Sequence, residues 1–337
     1  MYWYEDKNGA ERDVFVSSRV RLARNLADYP FAPVLEKTGA GEIIERVSTA
    51  LCENEGYTVT DFSALAENEK VSLVEKHLAS PEMIKNSLPS AIVENRGKGV
   101  SVLVGEEDHV RIQSIGAGLC LEGCLEAALE AEELIDRREK IAFSKELGYL
   151  THCPTNLGTG MRASVMMFLP LLTMTKRIGA LENTLQKIGL TVRGTVGEGS
   201  ASKGCLYQIS NRVSLGVSEE EIIKNLTDAA EEIAEAERAL RKKLASGEDV
   251  SLEDRIMRSV GIMKYARSVD TEELYRLYSD VRLGVSVGYV KGTCEAELDR
   301  LLVECLPATL SISSGRALSA KERDRARAQK LRAFGAE

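Results

Sequence analysis

The chain has 337 residues, 44% of them hydrophobic and 28% charged, with a formal net charge of −8. This is ordinary globular composition, long enough for two domains. The acidic balance argues against a general nucleic-acid binder, and no run reaches the roughly 20 apolar residues that a membrane span needs.

The start, Met1-Tyr-Trp-Tyr-Glu-Asp6, lacks the basic opening and apolar run of a signal peptide. Short runs rich in Val, Ile and Tyr read as strands at 14–16, 100–104, 109–115, 148–153, 190–196 and 205–210. Between them, 122–140 and 163–178 read as helices. Ser218-Glu-Glu-Glu221 is a capping box opening a long amphipathic helix that ends before Gly247. From there Ser251-Leu-Glu-Asp254 and Asp270-Thr-Glu-Glu273 look like further helix starts. The region 252–334 reads as helical except for an extended stretch at 285–290. Strands mixed with helices, then helices alone, predict an α+β domain over 14–246 and a helical domain over 247–337. The cysteines (Cys52, Cys120, Cys124, Cys153, Cys205, Cys294 and Cys305) form no C-x-x-C pair, and there are three histidines. No metal site and no disulfide framework is expected, and a reducing cytoplasmic setting is.

Four segments carry candidate chemistry. In Ser17-Ser-Arg-Val-Arg21 an extended backbone would put Arg19 and Arg21 on one side, as a phosphate clamp or as a solvated basic edge. Gly105-Glu-Glu-Asp-His-Val-Arg111 is an acidic turn between strands, or a carboxylate cluster that holds a guanidinium and takes its proton, with Arg111 as a phosphate ligand. A guanidinium has a pKa above about 12, so a base must free its lone pair before it can attack. In Cys153-Pro-Thr-Asn-Leu-Gly-Thr-Gly-Met-Arg162 the glycines would let backbone approach an anion, with Arg162 in the first turn of a following helix. Arg193-Gly-Thr-Val-Gly-Glu198 is a glycine-rich turn after a strand. The Walker A spacing and the protein-kinase motifs are absent.

Together and in this order, the four segments resemble those of the ATP:guanido phosphotransferases, the phosphagen kinases, over residues 14 to about 245. The resemblance implies an antiparallel sheet flanked by helices, on which ATP lies with Mg2+ held through the nucleotide. It implies a phosphate cage of Arg19, Arg21, Arg111, Arg162 and Arg193. Nucleotide contacts would come from Ser17, Ser18, Val20, Ala163, Ser164, Val165, Met166, Gly194, Thr195, Val196 and Gly197, with His77 at the base. Glu107 would be the catalytic base, Glu198 a second carboxylate and Cys153 a thiolate-like partner of the guanidine. Where metabolic members carry an arginine three residues beyond Asn211 this chain has Ser214, with Arg212 displaced, and Gly105 stands where an asparagine is usual.

In metabolic members a helical domain that helps close over the free substrate precedes the Ser-Ser-Arg motif, which here begins at residue 17. An open groove is therefore expected, suited to arginine presented on a protein. The end of the chain, 316–332, has seven basic and two acidic residues. Its Arg323-Asp-x-x-Arg-Ala328 reads as a solvated tail helix or, by resemblance to bacterial protein-arginine kinases, as a phosphoarginine-binding motif made by Arg323, Asp324, Arg327 and Ala328. That resemblance implies protein substrates, a homodimer, an activator protein and a link to degradation machinery. Alternatives are a free L-arginine kinase, a phosphoarginine-binding adaptor, or a cysteine hydrolase using Cys153 and His152.

Overall fold

The computed structural model describes residues 1–194, 202–245 and 250–334. An eight-stranded sheet forms its centre. Its strands are β1 (Phe15–Arg24), β2 (Thr58–Asp61), β3 (Ala91–Asn95), β4 (Val100–Val104), β5 (Val110–Ala117), β8 (Met161–Phe168), β9 (Leu190–Gly194) and β10 (Leu206–Asn211). A separate ribbon joins β6 (Phe143–Ser144) to β7 (Gly148–Tyr149). The order is β2-β3-β4-β5-β1-β8-β10-β9 and every pairing is antiparallel. The helices up to the long one are α1 (Lys37–Cys52), α2 (Glu67–Glu75), α3 (Pro81–Lys85), α4 (Leu121–Asp136), α5 (Pro170–Met174), α6 (Ile178–Lys187) and α7 (Glu219–Ala245). After it come α8 (Ser251–Tyr265), α9 (Thr271–Ser286), α10 (Glu295–Glu304), α11 (Pro307–Ser313) and α12 (Ala320–Phe334).

Strand alternation divides the sheet into two unlike faces. Val20, Leu22, Ile112, Ala163, Val165 and Ile209 point to one side, where they pack with Ala128, Ala131, Leu226 and Ile233 of α4 and α7. The opposite face carries the intervening polar residues and is the floor of the site described below. The helical region does not stand apart. Leu274, Leu277, Val281, Leu298 and Leu301 share a second core with Trp3, Tyr4, Val16, Phe168 and Leu206. Asp299 ties this joint, accepting from Arg12 Nη2 (2.6 Å), Arg282 Nε (3.0 Å) and the Tyr278 hydroxyl (2.6 Å).

Several helix starts behave as the sequence predicts. Ser218 and Glu221 bond reciprocally at 2.9 and 3.1 Å, and Asp270 Oδ1 accepts Glu273 N at 2.8 Å. A reciprocal Ser319/Glu322 capping box opens α12 as well. Three expectations are corrected. The stretch 163–178 is not one helix: it is the end of strand β8, then α5 and the start of α6. Met161, Ala163, Val165 and Met167 alternate inward while Arg162 and Met166 are less buried, which is a period of two rather than 3.6. The strand expected at 148–153 shrinks to Gly148–Tyr149 before a turn at Pro154–Asn156. The stretch 285–290 is not extended. Helix α9 runs to Ser286, and the following turn folds back so that Val290 N bonds Gly284 O at 3.0 Å. The 246/247 boundary lies outside the described residues.

Candidate functional site

The polar face of the sheet is an arginine floor. On central β1, Arg21 lies opposite Gln113 of β5 and Arg162 of β8, while Arg19 lies opposite Ile115 and Ser164. Gln208 of β10 lies opposite Met166 on one side and Arg193 on the other. Arg111 stands two residues before Gln113 on β5, on the same face. The five expected arginines are thus brought together, but through strand register. The helix N-terminus expected after Gly160 does not exist. The glycines before Arg162 serve packing instead: both have positive φ, +95° at Gly158 and +61° at Gly160. A Cβ on Gly158 would collide with Ser214 O, and one on Gly160 would lie 2.6 Å from Arg24 Nη1.

Alternation also sorts the remaining expected nucleotide residues. Ser17, Ser164 and Met166 line a cavity of about 630 Å³ above the floor, with Arg19, Arg193 and Gly194. Ser18, Val20, Ala163 and Val165 face the core, each at most 2% exposed. Ser18 Oγ donates to Gly118 O (2.8 Å) and accepts Cys120 N (3.0 Å). The cavity is roofed by Thr271 and Tyr275 of α9 and by Leu306. His77 lies at one end, its ring stacked on Trp3 with centroids 5.4 Å apart. Trp3 is itself held by Nε1 donating to Lys76 O at 3.2 Å. Burial, then Arg19 and Arg21, push the His77 pKa down to about 4, so its ring is neutral. Thr195, Val196, Gly197 and Glu198 lie outside the described residues.

Two arginines of the floor are held below their ordinary pKa. Burial first, then Arg111 and Arg162, bring the Arg19 pKa down to about 10. Burial, then Arg19, Arg111 and Arg162, hold Arg21 well below the ordinary arginine value, opposed by Glu106. Arg21 Nε is buried with no hydrogen-bond partner among the described residues. Arginines depressed first by burial and then by crowded like charges, beside a buried donor with no partner among the described residues, suit a polyanion.

The three acids of the 105–109 turn have different positions. Glu106 is buried, pairs with Arg111 Nη1, and accepts Glu107 N at 3.0 Å. Asp108 is buried, accepting Asn25 Nδ2 and His152 N, each at 2.7 Å. Glu107 alone keeps an accessible carboxylate, 35% exposed and 3.4 Å from Arg111 Nη2. The Asp108–His152 bond couples the turn to the next residue in the site, Cys153, whose sulfur is 3.0 Å from Thr155 Oγ1. Glu107 and Cys153 are therefore each one residue from the two ends of a single 2.7 Å hydrogen bond. The ring of His152 instead lies against Phe31, at 6.5 Å.

Ser214, at the position where the metabolic pattern has an arginine, has a mechanical task. Its buried hydroxyl bonds Thr155 O (3.0 Å) and Leu157 O (2.8 Å), and its carbonyl accepts Thr159 N (2.9 Å), so it braces the Cys153 turn. The terminal motif divides too. Arg327 is fully buried, donating to Cys305 O, Val269 O, Asp324 Oδ1 and Thr271 Oγ1, which uses four of its five N–H groups. Ala328 is buried with it, while Arg323 and Asp324 stay partly exposed. Sequence reasoning missed Trp3, Tyr275, Gln208 and the brace at Ser214. Alternation through β8 and β10 was the signal that could have found Gln208; the others come together only in three dimensions.

Two family descriptions match the chain: ATP:guanido phosphotransferase, C-terminal catalytic domain, over 42–240, and Protein-arginine kinase McsB C-terminal domain, over 249–334. Curated relatives named protein-arginine kinase include that of Pelotomaculum thermopropionicum, 41% identical over 97% of this chain and 94% of the relative. That of Desulforamulus reducens is 42% identical over 98% and 94%. Among solved structures, a lombricine kinase aligns with a TM-score of 0.59 at 26% identity, covering 73% of this chain and 71% of its own. The duplicated taurocyamine kinase of Schistosoma mansoni with bound transition-state-analogue components aligns at 0.60 and 27% identity, covering 77% and 38%.

Proposed function

The chain belongs to the ATP:guanido phosphotransferase family, and from that premise we propose that it transfers the γ-phosphate of ATP to arginine side chains of proteins. The observation that carries the reading is the accessible Glu107 carboxylate tied through Asp108 and His152 to Cys153, at the edge of a floor of arginines. The curated relatives' names and the match at 249–334 support protein arginine as the acceptor.

In this reading the triphosphate lies along Arg19, Arg21, Arg111, Arg162 and Arg193, with the base toward His77. Phosphoryl transfer is mostly positioning and charge neutralisation, and five guanidiniums supply both. Glu107 orients the target guanidinium and accepts one of its protons. The freed nitrogen attacks the γ-phosphorus, the bond from phosphorus to the ADP oxygen breaks, and the negative charge leaves with ADP into the cage. Cys153 faces the guanidinium from the other side, and Glu198 is assigned as a second carboxylate. The Mg2+ that the family implies would be held mainly through the nucleotide's phosphates, where it would neutralise their charge. The domains are assigned as 14–246 and 247–337. A cytoplasmic setting, a homodimer, an activator protein and a link to degradation machinery are part of the same proposal. So is recognition of phosphoarginine by the terminal motif, with Arg323 and Asp324 as its accessible members.

The test is incubation with a basic unfolded protein and Mg-ATP, followed by mild-ionisation mass spectrometry. The expected product is phosphate on arginine, labile to mild acid. Acid-stable phosphate on serine, or saturable turnover of free arginine with none on protein, would overturn the proposal.

A further inference from the structure

A second cavity, of about 530 Å³, opens on the same side of the sheet as the arginine floor, beyond Arg162. Alternation along β10 directs Gln208 and Ser210 to that face, and Arg212 follows at the next matching step. Arg212 is exposed, lines this cavity with Arg162 and Arg193, and makes no ion pair among the described residues. Glu182 and Gln186 of α6 form another wall and bond to each other at 3.4 Å. Thr155, whose hydroxyl touches the Cys153 sulfur, also lines the cavity, so it begins where the acceptor guanidine would end.

The volume is that of a ligand pocket, far more than one guanidino head group needs. The lining is polar, which suits solvated polypeptide. With triphosphate neutralising Arg162 and Arg193, Arg212 is the arginine in this cavity left to meet a further anion. Its planar fork suits a carboxylate. Resting on the protein-substrate reading above, we propose that this cavity receives the polypeptide beside the target arginine and that Arg212 selects an acidic side chain there.

The experiment uses peptides with blocked termini, one arginine, and Asp, Ala or Lys placed in turn at the three positions on either side. At one or more positions Asp is expected to exceed Lys about tenfold in kcat/KM. Arg212→Ala is expected to erase that difference while leaving KM for ATP and turnover of the alanine peptide unchanged, and Arg212→Glu to reverse it. A phosphorylated series blind to flanking charge overturns the subsite alone. So does an Arg212→Ala enzyme that keeps the preference, or one whose KM for ATP rises while the preference stays. Turnover of free arginine with none of the blocked peptides overturns the subsite together with the protein-substrate reading.

Discussion

The molecule holds arginines in two settings, and the contrast shows what marks a binding site. At the joint between sheet and helices, Arg12 and Arg282 both meet Asp299, and Arg282 Nη2 also donates to Arg12 O at 2.7 Å. Arg24 forms a two-pronged pair with Glu132 at 2.6 and 2.8 Å. Arg327 is satisfied by carbonyls, a hydroxyl and a carboxylate. On the sheet floor, desolvation first and then the neighbouring arginines lower the pKa values of Arg19 and Arg21. At the joint, Arg282 moves the other way: although burial opposes it, Asp299 holds its pKa above the ordinary value. Both settings draw arginine out of bulk water, the first fully and the floor in part. The difference lies in the neighbours: Asp299 and Glu132 face the first kind, whereas other arginines crowd Arg19 and Arg21, an arrangement that suits a polyanionic ligand.

The sharpest way to break this contrast is to exchange the two kinds of arginine for neutral residues. Arg21→Ala is expected to lower kcat by about 10³- to 10⁵-fold, the range for an arginine facing a transferring phosphoryl group. The apo protein's unfolding midpoint should not fall, because a repelling charge has been removed. A fall as large as that of a core-arginine variant would show that Arg21 is structural. Next, Glu107→Gln should cost about 10²- to 10⁴-fold in kcat with ATP affinity retained. Glu106→Gln, at the buried partner of Arg111, should instead raise KM for ATP. Equal effects on kcat and nucleotide affinity in the two variants would erase the distinction between base and anchor.

On the other side of the contrast, Arg282→Met should cost about 3–5 kcal/mol, because it leaves Asp299 short of one of its buried partners. Chemical denaturation measures this, and activity per folded molecule should stay within a few-fold. The smallest effect expected is on pH dependence. The folded chain holds His77 at a pKa of about 4, against an ordinary value of 6.5. Below pH 6.5 the unfolded chain takes up a proton that the folded chain refuses, so stability falls as pH drops toward 4 and is unaffected by His77 above 6.5. His77→Gln should flatten that part of the stability curve. An unchanged slope between pH 6.5 and 4.5 would show that the folded ring is free to charge.

Much of the site was legible before the fold. Each short motif carries its own chemistry, and the order of Arg19, Glu107, Cys153 and Arg193 along the chain identified a guanidino kinase. The reading failed at 163–178, where a run of Ala, Met and Leu has good helix propensity yet forms strand β8. Neighbours β1 and β10 offer that run a complete ladder and an apolar face to bury, and tertiary pairing overrides local preference. The helix-end anion site went with it, and so did the equal treatment of Ser17 and Ser18, which alternation sends to opposite faces.

The sequence by itself determined which groups are available: five arginines, three adjacent acids, one cysteine turn and a basic final helix. These follow from residue identity and short-range spacing. Only the tertiary structure decided which of them remain uncommitted. Strand register gathers the arginines on one face, where Arg19 and Arg21 lie among like charges. Hydrogen bonds from Asn25 and His152 commit Asp108, and Arg111 commits Glu106, leaving Glu107 accessible. At the other end of the chain, Arg327 is taken up by backbone carbonyls while Arg323 stays nearer the surface. Whether a donor or acceptor is already used depends on partners far away in sequence, and that is information no local pattern contains.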